Sequence, residues 1–257
     1  MPVAWVAVMT VARSSLKHLR LRLWRGLVLL FLVVSLSACQ ADFLVQVEVE
    51  QDGSGVVRTE IILDKEASDA LLDLGVDSNG LPLRDLAESG WTIGRWVEDA
   101  SGQTRIDAEK AFGNTVQFAE IMQELSGDDG VFQDFALTRD QSFGQVDYAV
   151  TGVLDPQVGI EAFSDAALED ALGASVESIV TVSPYNVDPQ NISVSVVVEL
   201  PGELQEEAPS GPVEDQSAPR GSWSTNLGDP TTVDVALRTT RRSISAQVLR
   251  GLSLIHI

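Results

Sequence analysis

The chain has few of the side chains on which most enzyme chemistry depends. It contains one cysteine, Cys39, and two histidines, His18 and His256, among 257 residues. A single cysteine excludes an intrachain disulfide framework. Both histidines lie outside residues 39–240, so that segment has no Ser-His-Asp triad, no Cys-His pair and no histidine-ligated zinc site. We therefore predict that the protein is not an enzyme, and we assign no catalytic residue and no metal ligand.

Basic residues are also scarce, and they are unevenly distributed. Residues 1–38 hold five basic residues and no acidic one, whereas residues 39–257 hold 12 basic and 38 acidic residues, a formal charge of −26. Nucleic-acid binding needs a basic face, so this class of partner is excluded. An acidic surface in contact with water is the simplest explanation of the charge.

The motifs that bind phosphates and metals are missing as well. No G-x-x-x-x-G-K-[ST] or strand-linked G-x-G-x-x-G segment occurs, so no nucleotide cofactor is predicted. Asp128 and Asp129 could offer oxygen ligands to calcium, but a polar turn is the favoured interpretation. Residues 75–86 fail as an EF-hand because Gly75 and Leu86 occupy the positions of its first and last acids. A pair of carboxylates acting as a hydrolase remains the least favoured alternative.

The one marked apolar run lies near the amino terminus and is too short to span a bilayer. Residues 26–36 are apolar and follow the basic segment 13–25. Eleven residues in a helix are about 16 Å long, whereas the hydrocarbon core of a bilayer is about 30 Å thick. A basic region, a short apolar region and small residues in this order are typical of a secretory signal peptide. Residues 1–38 are therefore excluded from the fold, and Met9 is an alternative start.

The end of this segment resembles a bacterial lipobox. Leu36, Ser37 and Ala38 precede Cys39, whose thiol in such precursors receives a diacylglycerol before cleavage on its amino-terminal side. The chemistry needs a thiol nucleophile at the membrane surface and small neighbours that fit the peptidase. We therefore expect Cys39 to be lipidated, and we expect the protein on the outer face of the cytoplasmic membrane.

Alternating apolar and polar residues predict strands through much of residues 39–240. The predicted strands are 43–50, 56–63, 91–99, 104–112, 131–140, 144–155, 191–202 and 231–240. Predicted helices are 64–75, 83–90, 114–127 and 164–173; Asn114 caps the third, and Phe118, Ile121, Met122 and Leu125 form its apolar stripe. Trp91 and Trp96 fall on opposite faces of their strand if it is regular. The proline-containing, acidic segment 203–222 is expected to be an exposed loop.

These elements predict an α+β fold. Its largely antiparallel sheet is built from hairpins, with about three to four short helices packed on it. We expect residues 39–240 to form the extracytoplasmic domain and residues 241–257 to form a C-terminal segment.

Several phrases together resemble the actinobacterial LppM-type lipoproteins, a family of largely unknown function. They are VEVEQDGSGVVRTEIIL, LAESGWTI, FQDFALTRDQSFGQVDYAVTGVLD, VVVELPGE and GSWSTNLGDPT, in this order. The resemblance implies a lipid-tethered extracytoplasmic α+β domain, and in that family a transmembrane helix often ends the chain. Here the chain ends in LSLIHI, which resembles translated adaptor sequence. We therefore expect residues 252–257 to be non-native and the transmembrane helix to be truncated.

Three functions follow from these observations. The favoured one is a non-enzymatic binding or interaction module of the cell envelope, held to the membrane through the lipid on Cys39 and contacting an envelope lipid or protein. The alternative is a carrier of lipid or another hydrophobic ligand, which needs an apolar cavity. The least favoured is a carboxylate-based envelope hydrolase. No ligand-binding residue can be named from the sequence.

Overall fold

The computed structural model describes residues 40–73, 84–126, 130–158, 188–205 and 219–242. The chain divides into two compact units, Met1–Ala38 and Cys39–Ile257, and every described residue belongs to the second. Its strands are β1 Ala41–Val49, β2 Gly55–Leu63, β3 Thr92–Ile93, β4 Val97–Glu98, β5 Thr104–Phe112, β6 Phe132–Ser142, β7 Gln145–Leu154, β8 Ile192–Glu199, β9 Glu203–Leu204, β10 Arg220–Asn226 and β11 Val233–Arg242. Its helices are α1 Lys65–Asp73, α2 Arg84–Glu88 and α3 Thr115–Ser126.

Seven strands form the large sheet, in the order β10-β8-β1-β2-β5, with β3 and β4 both paired to β5. The β1–β2 hairpin is the predicted one, and it closes where Glu50 N donates to the Ser54 carbonyl. Gly53 has φ +90°, a backbone conformation that favours glycine. Gly55 is required for a different reason, because a Cβ there would lie 2.1 Å from the Glu48 carbonyl oxygen.

The remaining four strands form the small sheet, in the order β6-β7-β11-β9. β6 and β7 pair over their whole length apart from a register shift between Gln133 and Ala136. Asp134 lies in this shift with φ +54°, so the irregularity is a β-bulge with a left-handed residue.

The core lies between the two sheets, as the period-two patterns predict. Along β8, buried side chains alternate with half-buried ones, and Val194, Val196 and Val198 are all 0% exposed. Phe43 of the large sheet contacts Phe132 of the small sheet, with ring centroids 5.8 Å apart. The other face of the large sheet is charged, and Arg58 pairs there with Glu48 and Glu109. The sheet-dominated α+β class is therefore confirmed.

Helix α3 confirms the clearest helical prediction. The Asn114 side-chain oxygen accepts hydrogen bonds from the backbone N–H groups of Val116 and Gln117, both at 3.0 Å. Of the predicted apolar stripe, Phe118, Ile121 and Met122 are buried and Leu125 packs against the core. The stripe is therefore part of the core.

Several predicted boundaries were wrong. The strand predicted over 91–99 consists of two short pieces, β3 and β4, whose registers on β5 differ by one residue. Ile93 lies opposite Ala108, whereas Val97 lies opposite Arg105. The predicted loop 203–222 begins in β9 and ends in β10, whose first residues pair with β8. Residues 206–218 and the predicted helix 164–173 lie outside the described residues.

The strand pattern also includes a parallel pair that no hairpin could provide. β1 pairs parallel with β8, with Ala41 opposite Ile192 and Glu48 opposite Glu199. β11 continues to Arg242, two residues beyond the predicted end of the strand. The sheet is still largely antiparallel, as expected.

Candidate attachment site at the amino-terminal strand

The predicted attachment residues directly precede the first described residue. Leu36, Ser37, Ala38 and Cys39 lie outside the described residues, and Gln40 follows them. β1 begins at Ala41, whereas the sequence pattern predicted Phe43. One residue, not three, therefore separates Cys39 from the large sheet.

Gln40 is held in place by Asp64, which follows the last residue of β2. Gln40 N donates to Asp64 Oδ2 at 2.8 Å, and Asp64 N donates to the Gln40 carbonyl at 3.0 Å. The other carboxylate oxygen of Asp64 accepts from Ala67 N at 2.7 Å, which satisfies a free N–H in the first turn of α1. One aspartate thus begins a helix and fixes the residue next to Cys39.

Asp64→Ala should lower the free energy of unfolding by about 1–2 kcal/mol, because it removes the cap of α1 and the partner of Gln40 N. Asp64→Asn keeps a capping oxygen and should cost less than half as much. Urea unfolding of the three proteins at neutral pH measures the difference. An Asp64→Ala protein as stable as the parent would show that the hydrogen bonds of Asp64 to Gln40 and Ala67 do not stabilise the fold.

The end of the domain around Gln40, which we call the base, is rich in aspartates that bond to nearby backbone. Asp155 accepts from Gln157 N, Asp188 from Gln190 N and Asp229 from Asn226 N, and each of these aspartates precedes a proline. Asp99, in the turn before β5, accepts from the hydroxyl and N–H of Ser101, which lowers the pKa of its carboxyl group. The base therefore carries several aspartates whose carboxylates are hydrogen-bonded within turns.

The sequence candidates for chemistry are not assembled into a site. Asp77, Asp128 and Asp129 lie outside the described residues. In the part of the chain that is described, no three His, Cys, Asp or Glu residues are grouped so that they could hold a metal ion. Among these ranges there is also no helix long and apolar enough to cross a bilayer.

The two tryptophans differ in burial. Trp91 is 4% exposed, and its indole N–H donates to Glu124 at 3.3 Å. Lys110 pairs with the same carboxylate at 2.6 Å, so the group joins α3 to β5. Trp96 is half-buried in the break between β3 and β4, and its indole nitrogen has no hydrogen-bond partner. Trp91 therefore belongs to the core.

The opposite, distal end of the domain carries a feature that the sequence patterns did not reveal. The turn between β6 and β7 was predicted near residues 142–144, and it is found at Phe143 and Gly144. Phe143 is 92% exposed there. Alternation identifies the turn but not whether another segment covers it, so the exposure of Phe143 could only come from the structure.

Comparison with known proteins gives a weak structural likeness. No protein-family model matches the chain, and no curated protein sequence matches it. Among solved structures, the chain is similar to the NMR structure of the folded domain of LppM from Mycobacterium tuberculosis. The two share 11% identity with a TM-score of 0.42, over 81% of this chain and 94% of that one.

Proposed function

We propose that the chain is a membrane-anchored extracytoplasmic lipoprotein whose folded domain is a non-enzymatic interaction module. Cys39 would be joined to a diacylglycerol through its sulfur, and residues 1–38 would be removed by cleavage between Ala38 and Cys39. The lipobox sequence, the basic and apolar segments before it and the absence of any other cysteine support this proposal.

The observation that carries the proposal is the position of β1. The chain becomes ordered strand two residues after Cys39, and Gln40 is already hydrogen-bonded to Asp64. A signal peptide must be separable from the domain, and the domain here begins directly after the proposed cleavage point. Two extended residues reach about 7 Å, so a lipid on Cys39 would hold the base against the bilayer surface.

The packing between the sheets favours an interaction module over a carrier. Phe132 contacts both Phe43 and Phe135, with ring centroids 5.8 and 6.1 Å apart, so aromatic rings fill this part of the interior. A carrier needs an apolar cavity of about 300 Å³ or more. Lipid mass spectrometry of the purified full chain tests that alternative, since a stoichiometric co-purified lipid would favour the carrier.

Mass spectrometry of the mature protein tests the anchor directly. Trypsin should release residues 39–58 as the amino-terminal peptide, because no lysine or arginine lies between Cys39 and Arg58. We expect this peptide to carry the mass of a diacylglyceryl group and no peptide from residues 1–38 to be present. An unmodified Cys39 thiol, or a peptide that runs across the Ala38–Cys39 bond, would contradict the proposal.

A further inference from the structure

The β6–β7 turn exposes a large apolar side chain that the fold does not need. Gly144 has φ +79°, so the turn depends on glycine at its second position. Position 143 has an ordinary negative φ, which any residue can adopt, and Phe143 is 92% exposed. Its ring therefore adds nothing to the core and leaves apolar surface in water.

This turn projects beyond the large sheet. Tyr148 and Arg139 are opposite each other in β7 and β6, and both donate to the Gln51 carbonyl in the β1–β2 turn, at 2.5 and 3.3 Å. Three more residue pairs follow before the turn, which adds about 10 Å. We call this projecting part, residues 140–147 with residues 240–242 of β11, the distal ledge.

The distal ledge carries two exposed arginines on an acidic protein. Arg241 and Arg242 are exposed and lie opposite Val146 and Gln145. No ion pair within the described residues involves either arginine.

Asp147, the nearest ledge carboxylate in β7, already accepts hydrogen bonds from Thr240 at 2.6 Å and from Gln145 at 2.9 Å. Asp140 is the other carboxylate of the ledge, and it lies opposite Asp147 on the side facing away from the core. Glu203 of β9 lies opposite Thr240, the residue before Arg241. Within the described residues, neither arginine is held in an ion pair by any of these carboxylates.

We propose that the distal ledge binds an extracytoplasmic protein that takes Phe143 into an apolar pocket bordered by carboxylates. Aromatic and arginine side chains are enriched at protein interfaces and dominate their binding energy. Carboxylates on the partner would complement Arg241 and Arg242. The rest of this domain is strongly acidic and would repel those carboxylates, which favours binding at the ledge.

The ledge lies far from the membrane to which Cys39 would hold the chain, and this part of the argument rests on the proposed anchor. β7 runs the length of the domain from Gln145 at the ledge to Leu154 at the base, about 30 Å. A bilayer at the base would leave the ledge facing outward. A protein partner therefore fits the position of Phe143 better than the anchoring membrane does.

Photocrosslinking in intact cells tests the proposal. p-Benzoylphenylalanine replaces Phe143 in the full chain, and replaces Val97 in a second protein as the matched control. Val97 is also exposed, at 53%, but it lies in β4 close to the base. We expect a discrete protein adduct from position 143, at a yield about ten times that from position 97, with the crosslinked partner peptide rich in Asp and Glu.

Charge reversal supplies the second measurement. Arg241→Glu and Arg242→Glu should each lower the yield of this adduct about tenfold, since each places an acid against the partner's carboxylates. Arg95→Glu, at an exposed position between β3 and β4, should leave it unchanged. Far-ultraviolet circular dichroism of the purified variants checks that the sheets remain.

The proposal would be overturned by equal adduct yields from positions 97 and 143, or by adducts with lipid alone. It would also be overturned by crosslinks only to residues 243–257 of the same chain, or by an adduct yield that neither arginine substitution changes. Absence of any adduct from the folded, membrane-attached protein would overturn it too. Failure of the anchor is a separate result, because unlipidated protein would leave the membrane fraction and still form the arginine-dependent adduct.

Discussion

Cys39→Ala is expected to abolish incorporation of labelled palmitate completely. The chain has no other cysteine, so no second thiol can form the thioether to diacylglycerol. Lipidation precedes cleavage in lipoprotein maturation, and the uncleaved precursor should therefore accumulate. Labelling with radioactive palmitate measures the first effect. Immunoblotting of the same gel measures the second, since the unlabelled precursor is longer than the mature chain by residues 1–38.

The neighbouring residue provides the matched control for this variant. Gln40→Ala should still be labelled and cleaved, because Gln40 contributes its backbone N–H and carbonyl, not its side chain, to the bonds with Asp64. Cys39→Ser replaces the thiol with a hydroxyl of similar size. Because it lacks the nucleophilic sulfur, it should behave like Cys39→Ala. Palmitate incorporation by either Cys39 variant would refute the assignment of the anchor.

Phe118→Ala is expected to lower the free energy of unfolding by about 3–5 kcal/mol, as for other buried phenylalanines. Phe118 is 0% exposed, and its ring lies edge-on to that of Phe112 with the centroids 5.5 Å apart. Truncation would remove buried apolar area and leave a cavity between α3 and the large sheet. Urea or thermal unfolding, followed by tryptophan fluorescence and circular dichroism, measures the loss.

Val116→Ala is the control, because Val116 lies in the same helix and is 65% exposed. It should change stability by less than about 0.5 kcal/mol, as surface substitutions usually do. Similar losses of unfolding free energy for Val116→Ala and Phe118→Ala would show that burial of the side chain does not determine its contribution to stability. That outcome would contradict the position of the core.

The local elements of this protein were largely predictable from its sequence. Period-two alternation predicted β1, β2, β5, β6, β7, β8 and β11 within two residues at most ends, and Asn114 marked the start of α3. Such patterns depend on which face of one segment is buried and on bonds a few residues apart. They fail where a segment is short or polar, as at β10, whose sequence RGSWSTN has too little apolar content to be recognised as a strand.

Lipidation of Cys39 is a prediction from residues 36–39, which lie outside the described residues, whereas the contacts of Gln40 came from the structure. The role of Asp64 could not be predicted, because the contact joins residues 24 positions apart. A side chain reaching across two strand ends depends on how those strands pair, and a pattern within either strand does not contain that information.

By itself the sequence determined the domain's charge, its lack of histidine and of a second cysteine, the candidate anchor at Cys39 and the faces that its strands bury. Only the tertiary structure decided that β1 and β8 pair in parallel, that Gln40 is clamped at the base and that Phe143 projects from the distal ledge. The physical reason is range. Backbone propensity and alternation act between near neighbours, whereas strand order and exposure depend on packing between segments about 150 residues apart.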